Sequence, residues 1–399
     1  MDPNIREVLD LVARWIHLIA GIMWVGNSML FNWLDRNLDK EGKGPRSFGE
    51  IWLLHSGAYY QVEKKMLAKE EYPRVLHWFK WQSYTTWISG ACLMAIVYYM
   101  PSGGAYLVDS NVSGISVDRA IDFGLATIVG GFVFYDVTWR VLGKRNEKLA
   151  TALTLLLVGA AVVGIPRVLA GRAAYMHVGA LLGTIMAGNV FLHIVPSQRE
   201  LVKATQEGST KDLELSSHAK QRSIHNNYFT FPLLFIMVSN HFPSTYGSGH
   251  AALTLAVLIV TGALVRHFLN IRFGFAQWVP AVLGTITAGI VALFFLAGGQ
   301  EVLAGKPKAP PEKIAFSRVQ LVINDRCVPC HAKKPVDPSM QTAPNNVVLE
   351  TPEQIKQYAE RIKIRAVVGK TMPLSNKTNM TEEERGLLGK WLLGGANLD

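Results

Sequence analysis

Cys327-Val328-Pro329-Cys330-His331 is the stretch whose residue types and spacing specify chemistry most directly. Two thiols three residues apart can add to the two vinyl groups of one heme, and the imidazole that follows at once then faces the iron. The iron of an electron-transfer heme usually takes a second axial ligand, often methionine, which raises its potential. Met340, Met372 and Met380 are available. Met372 is the expected ligand, because Met372-Pro373 falls on a loop just before the terminal helix and the proline stiffens that strand; Met380 is held in reserve. A zinc half-site would need two more ligands, and no cysteine or nearby histidine supplies them. One covalent heme c on Cys327 and Cys330, with His331 and Met372 on its iron, is the expectation.

Two helices must position that motif. Ala315 to Asp325 has helical periodicity and runs straight into Cys327. Thr381 is an N-cap with Glu384 three residues on, a capping box, and Leu387, Leu388, Trp391 and Leu392 then share one apolar face. Residues 312–399 therefore read as a class I cytochrome c domain. Before it, residues 304–311 (Ala-Gly-Lys-Pro-Lys-Ala-Pro-Pro) form an extended, semi-rigid spacer. It would tether the domain to whatever residues 1–303 build.

That larger part is apolar in long runs. Hydrophobic residues make up 49% of the 399-residue chain and charged residues only 18%. A helix crossing roughly 30 Å of hydrocarbon needs about 20 mostly apolar residues. Eight segments approach this: 8–33, 79–100, 120–141, 149–170, 173–196, 228–243, 251–271 and 276–298, the sixth being short and holding Pro232. The fold class expected is all-α, a polytopic eight-helix transmembrane bundle fused to the cytochrome domain. Residues 50–62 are apolar but too short to span, and an amphipathic interfacial helix is expected there. Residues 203–226 are polar and read as a cytoplasmic helix or loop.

Charge orients the bundle. The first, third and fifth loops are rich in Lys and Arg, among them Arg36, Lys40, Lys64, Lys65, Lys144, Arg145, Arg199 and Lys203. The second has Arg119 alone, and the sixth has no Lys or Arg. The positive-inside rule then places odd loops in the cytoplasm and both termini outside. The expected location is the bacterial inner membrane, with the cytochrome domain in the periplasm, the compartment where heme is attached. Met1 to Asp10 lacks a basic n-region and a small-residue cleavage site, so the first apolar stretch is expected to stay as a helix. The formal charge of +10 sits beside apolar segments, which fits membrane lipid and argues against nucleic acid. With three cysteines, and Cys92 read as helix packing, a disulfide framework is excluded.

Polar side chains at membrane depth are functional candidates by default. His17 and His177 fall in the outer half, where they are candidate axial ligands to a second, non-covalent heme b; the plainer reading is hydrogen bonding across helices. His77, His193 and His267 fall toward the inner side, and Asp122, Asp136 and Asn189 are costly to bury unpaired. Trp78-Phe79-Lys80-Trp81-Gln82 opens the second apolar segment. Such aromatics are either interfacial anchors or a stacking wall for a flat heteroaromatic substrate, with Trp81 in the wall and Gln82 offering amide hydrogen bonds. His55, Tyr60 and Glu63 belong to the same inner-face candidate site, with His55 or Glu63 as general base.

The ordered combination of WIHLIAGIMWVGNSMLFN (15–32), LHSGAYYQVEK (54–64), WFKWQSYTTWISG (78–90), HVGALLGTIMAGNVFLHIVPSQ (177–198), CVPCH and MPLSNKTNMTEEERGLLGKW (372–391) resembles the bacterial membrane-bound urate hydroxylases, the cytochrome c-linked urate oxidases. The resemblance covers essentially the whole chain. It implies oxidation of urate to 5-hydroxyisourate, with electrons leaving through the cytochrome domain to a soluble cytochrome c or a terminal oxidase. His17 with Trp24-Val25-Gly26 also looks like other heme-binding membrane oxidases, which favours the second heme. Two other classes stay open: a quinol:cytochrome c oxidoreductase, and a non-enzymatic membrane-anchored electron carrier.

Overall fold

The structure is a computed structural model. It describes the chain except residues 1–2, 42–43, 101–103, 110–111, 210–211, 248, 297–312, 338–339 and 341. The expected spacer at 304–311 therefore lies outside the described residues.

The chain is mostly helical. In order come α1 (Pro3–Asn37), β1 (Ser47–His55), β2 (Ala58–Lys65), α2 (Lys80–Met94), α3 (Gly104–Leu107), α4 (Val117–Val141), α5 (Glu147–Gly164), α6 (Gly171–Asn189), α7 (Val195–Glu207), α8 (Leu213–Ser239), α9 (Pro243–Tyr246), α10 (Ala251–Ile271) and α11 (Trp278–Leu296). The C-terminal unit adds α12 (Phe316–Arg326), α13 (Pro352–Gln357), α14 (Ala359–Ile362) and α15 (Glu382–Leu393). Among the described residues, six helices are long and apolar enough to cross a membrane. The other two apolar segments are helical as well, as α2 and the second half of α8. Pro232 is accommodated inside α8.

The helices sort by what covers them. α6 is buried along most of its length, and Tyr135, Tyr175, Leu181, Ile185, Ile236 and Leu255 form the centre of the core around it. Glycines permit this closeness: a Cβ on Gly124 of α4 would stand 2.5 Å from the His177 ring of α6. In contrast, α1 and α11 turn large apolar side chains outward, including Trp15 (66% exposed), Leu18, Ile22, Leu283 and Ile290. An apolar surface that extensive suits hydrocarbon better than water.

Residues 50–62 do not form an interfacial helix. They belong to an antiparallel hairpin pairing Ser47 with Lys65 through His55 with Ala58. Ser56 (φ 52°) and Gly57 (φ 77°) both occupy the left-handed region, which a two-residue hairpin turn with the strands' own twist requires. The Ser-Gly pair between two β-favouring runs was the available signal. Among the described residues this hairpin is the only sheet in an otherwise helical fold.

The C-terminal unit has its own core of Phe316, Val319, Ile323, Ile355, Leu388 and Trp391. It meets the helical half where Gly247, just after α9, packs against the Gly369 carbonyl, with no room for a side chain between them.

Candidate functional site

The C-terminal motif is fixed mainly by backbone hydrogen bonds. α12 ends at Arg326, and the Cys327 and Val328 amides both still bond to the Ile323 carbonyl, so the chain turns tightly into the motif. His331 Nδ1–H donates to the Val347 carbonyl at 2.9 Å. A carbonyl can only accept, so the proton sits on Nδ1 and the Nε2 lone pair is left for a metal. Met372 is held from both sides: its amide donates to the Arg365 carbonyl (3.0 Å) and its carbonyl accepts from Arg385 Nη1 (2.7 Å). Arg385 is almost fully buried and also donates to the Ala366 carbonyl. Burial pushes the Cys327 thiol up to about 12. Burial, with the Asp337 carboxylate alongside, raises Cys330 too.

Arg326 and Glu384 bind this unit's two main helices together. The guanidinium grips the carboxylate from Nε (3.1 Å) and Nη2 (3.0 Å) and donates from Nη1 to the Thr378 carbonyl (2.6 Å). Glu384 also completes the expected capping box, accepting from the Thr381 amide at 2.7 Å. Burial works against the Glu384 charge. The Arg326 and Thr381 hydrogen bonds and the nearby Arg326 and Arg385 charges outweigh it, holding the carboxyl below the usual glutamate range.

Cys327, Cys330, His331 and Met372 all line one cavity of about 1710 Å³ that continues between α1, α2, α6 and α8. A single small-ligand site occupies about 300–1,000 Å³, so this space is larger than one cofactor needs. Met340 is also on its wall; Met380 is not, being buried in the C-terminal core. Arg14, Arg172, Arg326, Arg361 and Arg365 bring positive charge to the wall, apt for the carboxylates of a porphyrin.

His17 reaches this cavity and His177 does not. His17 Nδ1–H donates to the Thr86 carbonyl (2.9 Å), with Ser89 Oγ at 3.2 Å, and Nε2 has no hydrogen bond among the described residues. Gly90 makes room for the ring. His177 is fully buried with both ring nitrogens engaged: Nδ1–H donates to the Ala173 carbonyl (2.7 Å), and Nε2 accepts from Tyr99 O–H (2.8 Å). Of the two residues expected to ligate a second heme, the structure gives one a free nitrogen and makes the other a packing histidine. Tyr99 lies in a π-helical turn, Ala95–Tyr99, that ends α2's helical run.

The four expected catalytic residues are not brought together. His55 and Glu63 lie on the exposed hairpin. Trp81 is 65% exposed and meets Tyr84 edge-on. Gln82 alone lines a cavity, a second chamber of about 490 Å³ at the end of the bundle away from Cys327. His77 lines it too. Tyr60 is exposed on the hairpin.

Other buried polar groups form structural networks. Asp136 accepts from His193 Nε2 (2.6 Å) and Arg222 Nη2 (3.1 Å) and pairs with Arg140 Nε (2.7 Å). Asn189 donates to both Tyr135 Oη (3.0 Å) and Asn226 Oδ1 (2.9 Å), and Tyr135 O–H reaches His225 Nδ1 (2.6 Å). His267 is bonded to Tyr228 Oη (2.8 Å). Arg222, Asn226 and Arg385 were missed in the sequence. The first two stand one helical turn apart on α8, a spacing that marks one face, but in a stretch polar enough to read as solvated.

An apolar helical bundle joined to a small unit by a cavity lined with a thiol pair, a histidine and a methionine defines the class of a redox protein built on membrane-type helices. The chain belongs to the family described as Urate oxidase N-terminal, whose model matches residues 3–297. No curated protein and no solved structure matches the chain. Family membership makes this an oxidoreductase acting on urate.

Proposed function

We propose that the chain is a multi-pass membrane enzyme that oxidises urate to 5-hydroxyisourate and delivers the electrons through a C-terminal heme c to a soluble cytochrome c or a terminal oxidase. The balance is urate plus water giving 5-hydroxyisourate, two protons and two electrons. A base removes a proton from the purine, the electron-rich anion is oxidised, and water adds at C5. The observation that carries the reading is the single cavity shared by Cys327, Cys330, His331 and Met372 with His17, the last of which lies within the urate-oxidase family match.

Heme c when bound accepts electrons one at a time, chemistry that no side chain supplies. The chain's own work is to hold and tune. Cys327 and Cys330 would hold it through thioether bonds, His331 presents Nε2 because Val347 keeps the proton on Nδ1, and Arg385 and Arg365 pin the backbone of Met372. His17, held by Thr86, is the residue that would bind a heme b in the same cavity. Exposed apolar faces on α1 and α11 keep the bundle in lipid. The positive-inside pattern then puts the C-terminal unit on the periplasmic side of the inner membrane.

The test is anaerobic mixing of purified protein with urate, read in the α-band, with a pyridine hemochrome count. Reduction of a c-type band without oxygen is expected, and a b-type signal alongside it would come from the His17 cavity. A protein that ignores urate but is reduced by a quinol would overturn the assignment.

A further inference from the structure

We infer that the smaller chamber is where the purine binds, with Gln82 as its specificity-determining hydrogen-bonding residue. This rests on urate being the substrate. At about 490 Å³ the chamber is in the range of a small-molecule site. Its walls are flat: Trp24 and Phe31 of α1 and Phe79 just before α2 line it, and the Phe31 and Phe79 rings stand 5.1 Å apart at 74°. A planar purine can lie against one such face while its edges meet polar groups.

The edge partner is Gln82. Its Oε1 is buried and has no hydrogen-bond partner among the described residues. A buried acceptor left unsatisfied is costly, and a purine N–H would satisfy it. Asn226, on the same wall, is committed elsewhere: its oxygen takes Asn189 and its amide donates to the Met186 carbonyl. Charge selects further. Among the described residues no carboxylate lines the chamber, whereas Lys65 and Lys80 do. Lys65 is turned toward Glu63 and Glu71, but Lys80 lies only over the Trp78 and Trp81 rings and has no ion-pair partner among the described residues. Urate is an anion at neutral pH, so a carboxylate-free chamber with a cation at its edge suits it.

Location supplies the remaining support. Trp24, Val25, Met186 and Thr230 line both the chamber and the large cavity, so these side chains are the partition between them. From His17, on the large cavity, to Asn27, on the chamber, α1 rises roughly 15 Å. A purine in the chamber is separated from the redox cavity by a single layer of side chains, whereas one at His55 and Glu63 would lie out on the hairpin.

Equilibrium dialysis of radiolabelled urate against the full-length protein in detergent tests this, alongside the dithionite-reduced spectrum and the elution volume as checks on folding. Gln82→Leu, close in size and unable to hydrogen-bond, should weaken urate binding by about ten- to a hundredfold. Gln82→Glu, which adds a negative charge, should weaken it at least as much. Gln61→Leu on the exposed hairpin should leave binding unchanged. If wild-type protein binds urate and folded Gln82→Leu and Gln82→Glu bind it equally well, the chamber is not the site and the urate reading survives. If wild-type protein binds no urate but a quinol reduces it, the urate reading falls and takes this assignment with it.

Discussion

The C-terminal unit and the helical half position their polar side chains by opposite means. In the first, His331 and Arg326 both donate to main-chain carbonyls of their own small unit, and the Met372 amide donates to a third. In the second, Asp136, Tyr135 and Asn189 are held by side chains from other helices, 37 to 90 residues away in sequence. A backbone clamp tolerates change in neighbouring side chains, because the carbonyl stays when a side chain is replaced. A clamp made of side chains does not. Each member of the Asp136 set depends on the charge of another, and taking away one leaves its partners buried and uncompensated.

The contrast is tested hardest at Asp136. Asp136→Leu leaves Arg222, which is only 2% exposed, without its counter-charge. Breaking a buried pair from one side costs about 3–5 kcal/mol. A large drop in the thermal midpoint of the helical half is expected, and pairing Asp136→Leu with Arg222→Leu should recover part of it. If the single variant melts like the parent, the network is not structural.

Two methionines of the C-terminal unit sharpen the comparison within one core. Met380 is buried in that core and off the cavity wall, so Met380→Ala should cost about 2–5 kcal/mol of stability. The heme spectrum should stay unchanged. Met372 lines the cavity with its backbone already fixed. Met372→Ala should therefore cost less stability but lower the reduction potential, since a methionine ligand raises it. Potentiometric titration and thermal melts of both variants separate the two roles. The reverse pattern would make Met380 the ligand.

The same contrast governs what could be read in the sequence. The thiol pair, the histidine, the capping box at Thr381 and the apolar face of α15 are local patterns, each complete within a dozen residues, and each is present in the structure. The apolar helices were legible because a hydrophobic run of about 20 residues matches the thickness of hydrocarbon and seldom suits a water-facing fold. The surroundings of the polar residues in the helical half were not. Nothing local to His55 or Glu63 says that Ser56-Gly57 turns them onto a hairpin rather than into a pocket. Nothing near His177 tells that Tyr99, brought round by a π-helical turn, takes its second nitrogen. Gln82 was legible as a residue type out of place, an amide among aromatics. Its chamber depends on four other helices and was not.

The smallest expected effect concerns a side-chain clamp in the C-terminal unit, Arg326 on Glu384. Because the folded carboxyl titrates below the usual glutamate range, its contribution is fully present above the unfolded value and fades as pH falls through the folded one. Both side chains keep some solvent access, about a quarter of the surface of each, so screening holds the pair to about 1 kcal/mol. Glu384→Gln should therefore speed amide exchange in α15 and α12 about fivefold at neutral pH. The gap between variant and parent should close as the solution is acidified below the carboxylate range, because the parent then loses the charge the variant already lacks. A gap that stays constant down to acid pH would mean that the ion pair is not what joins the last helix to the one that leads into the thiols.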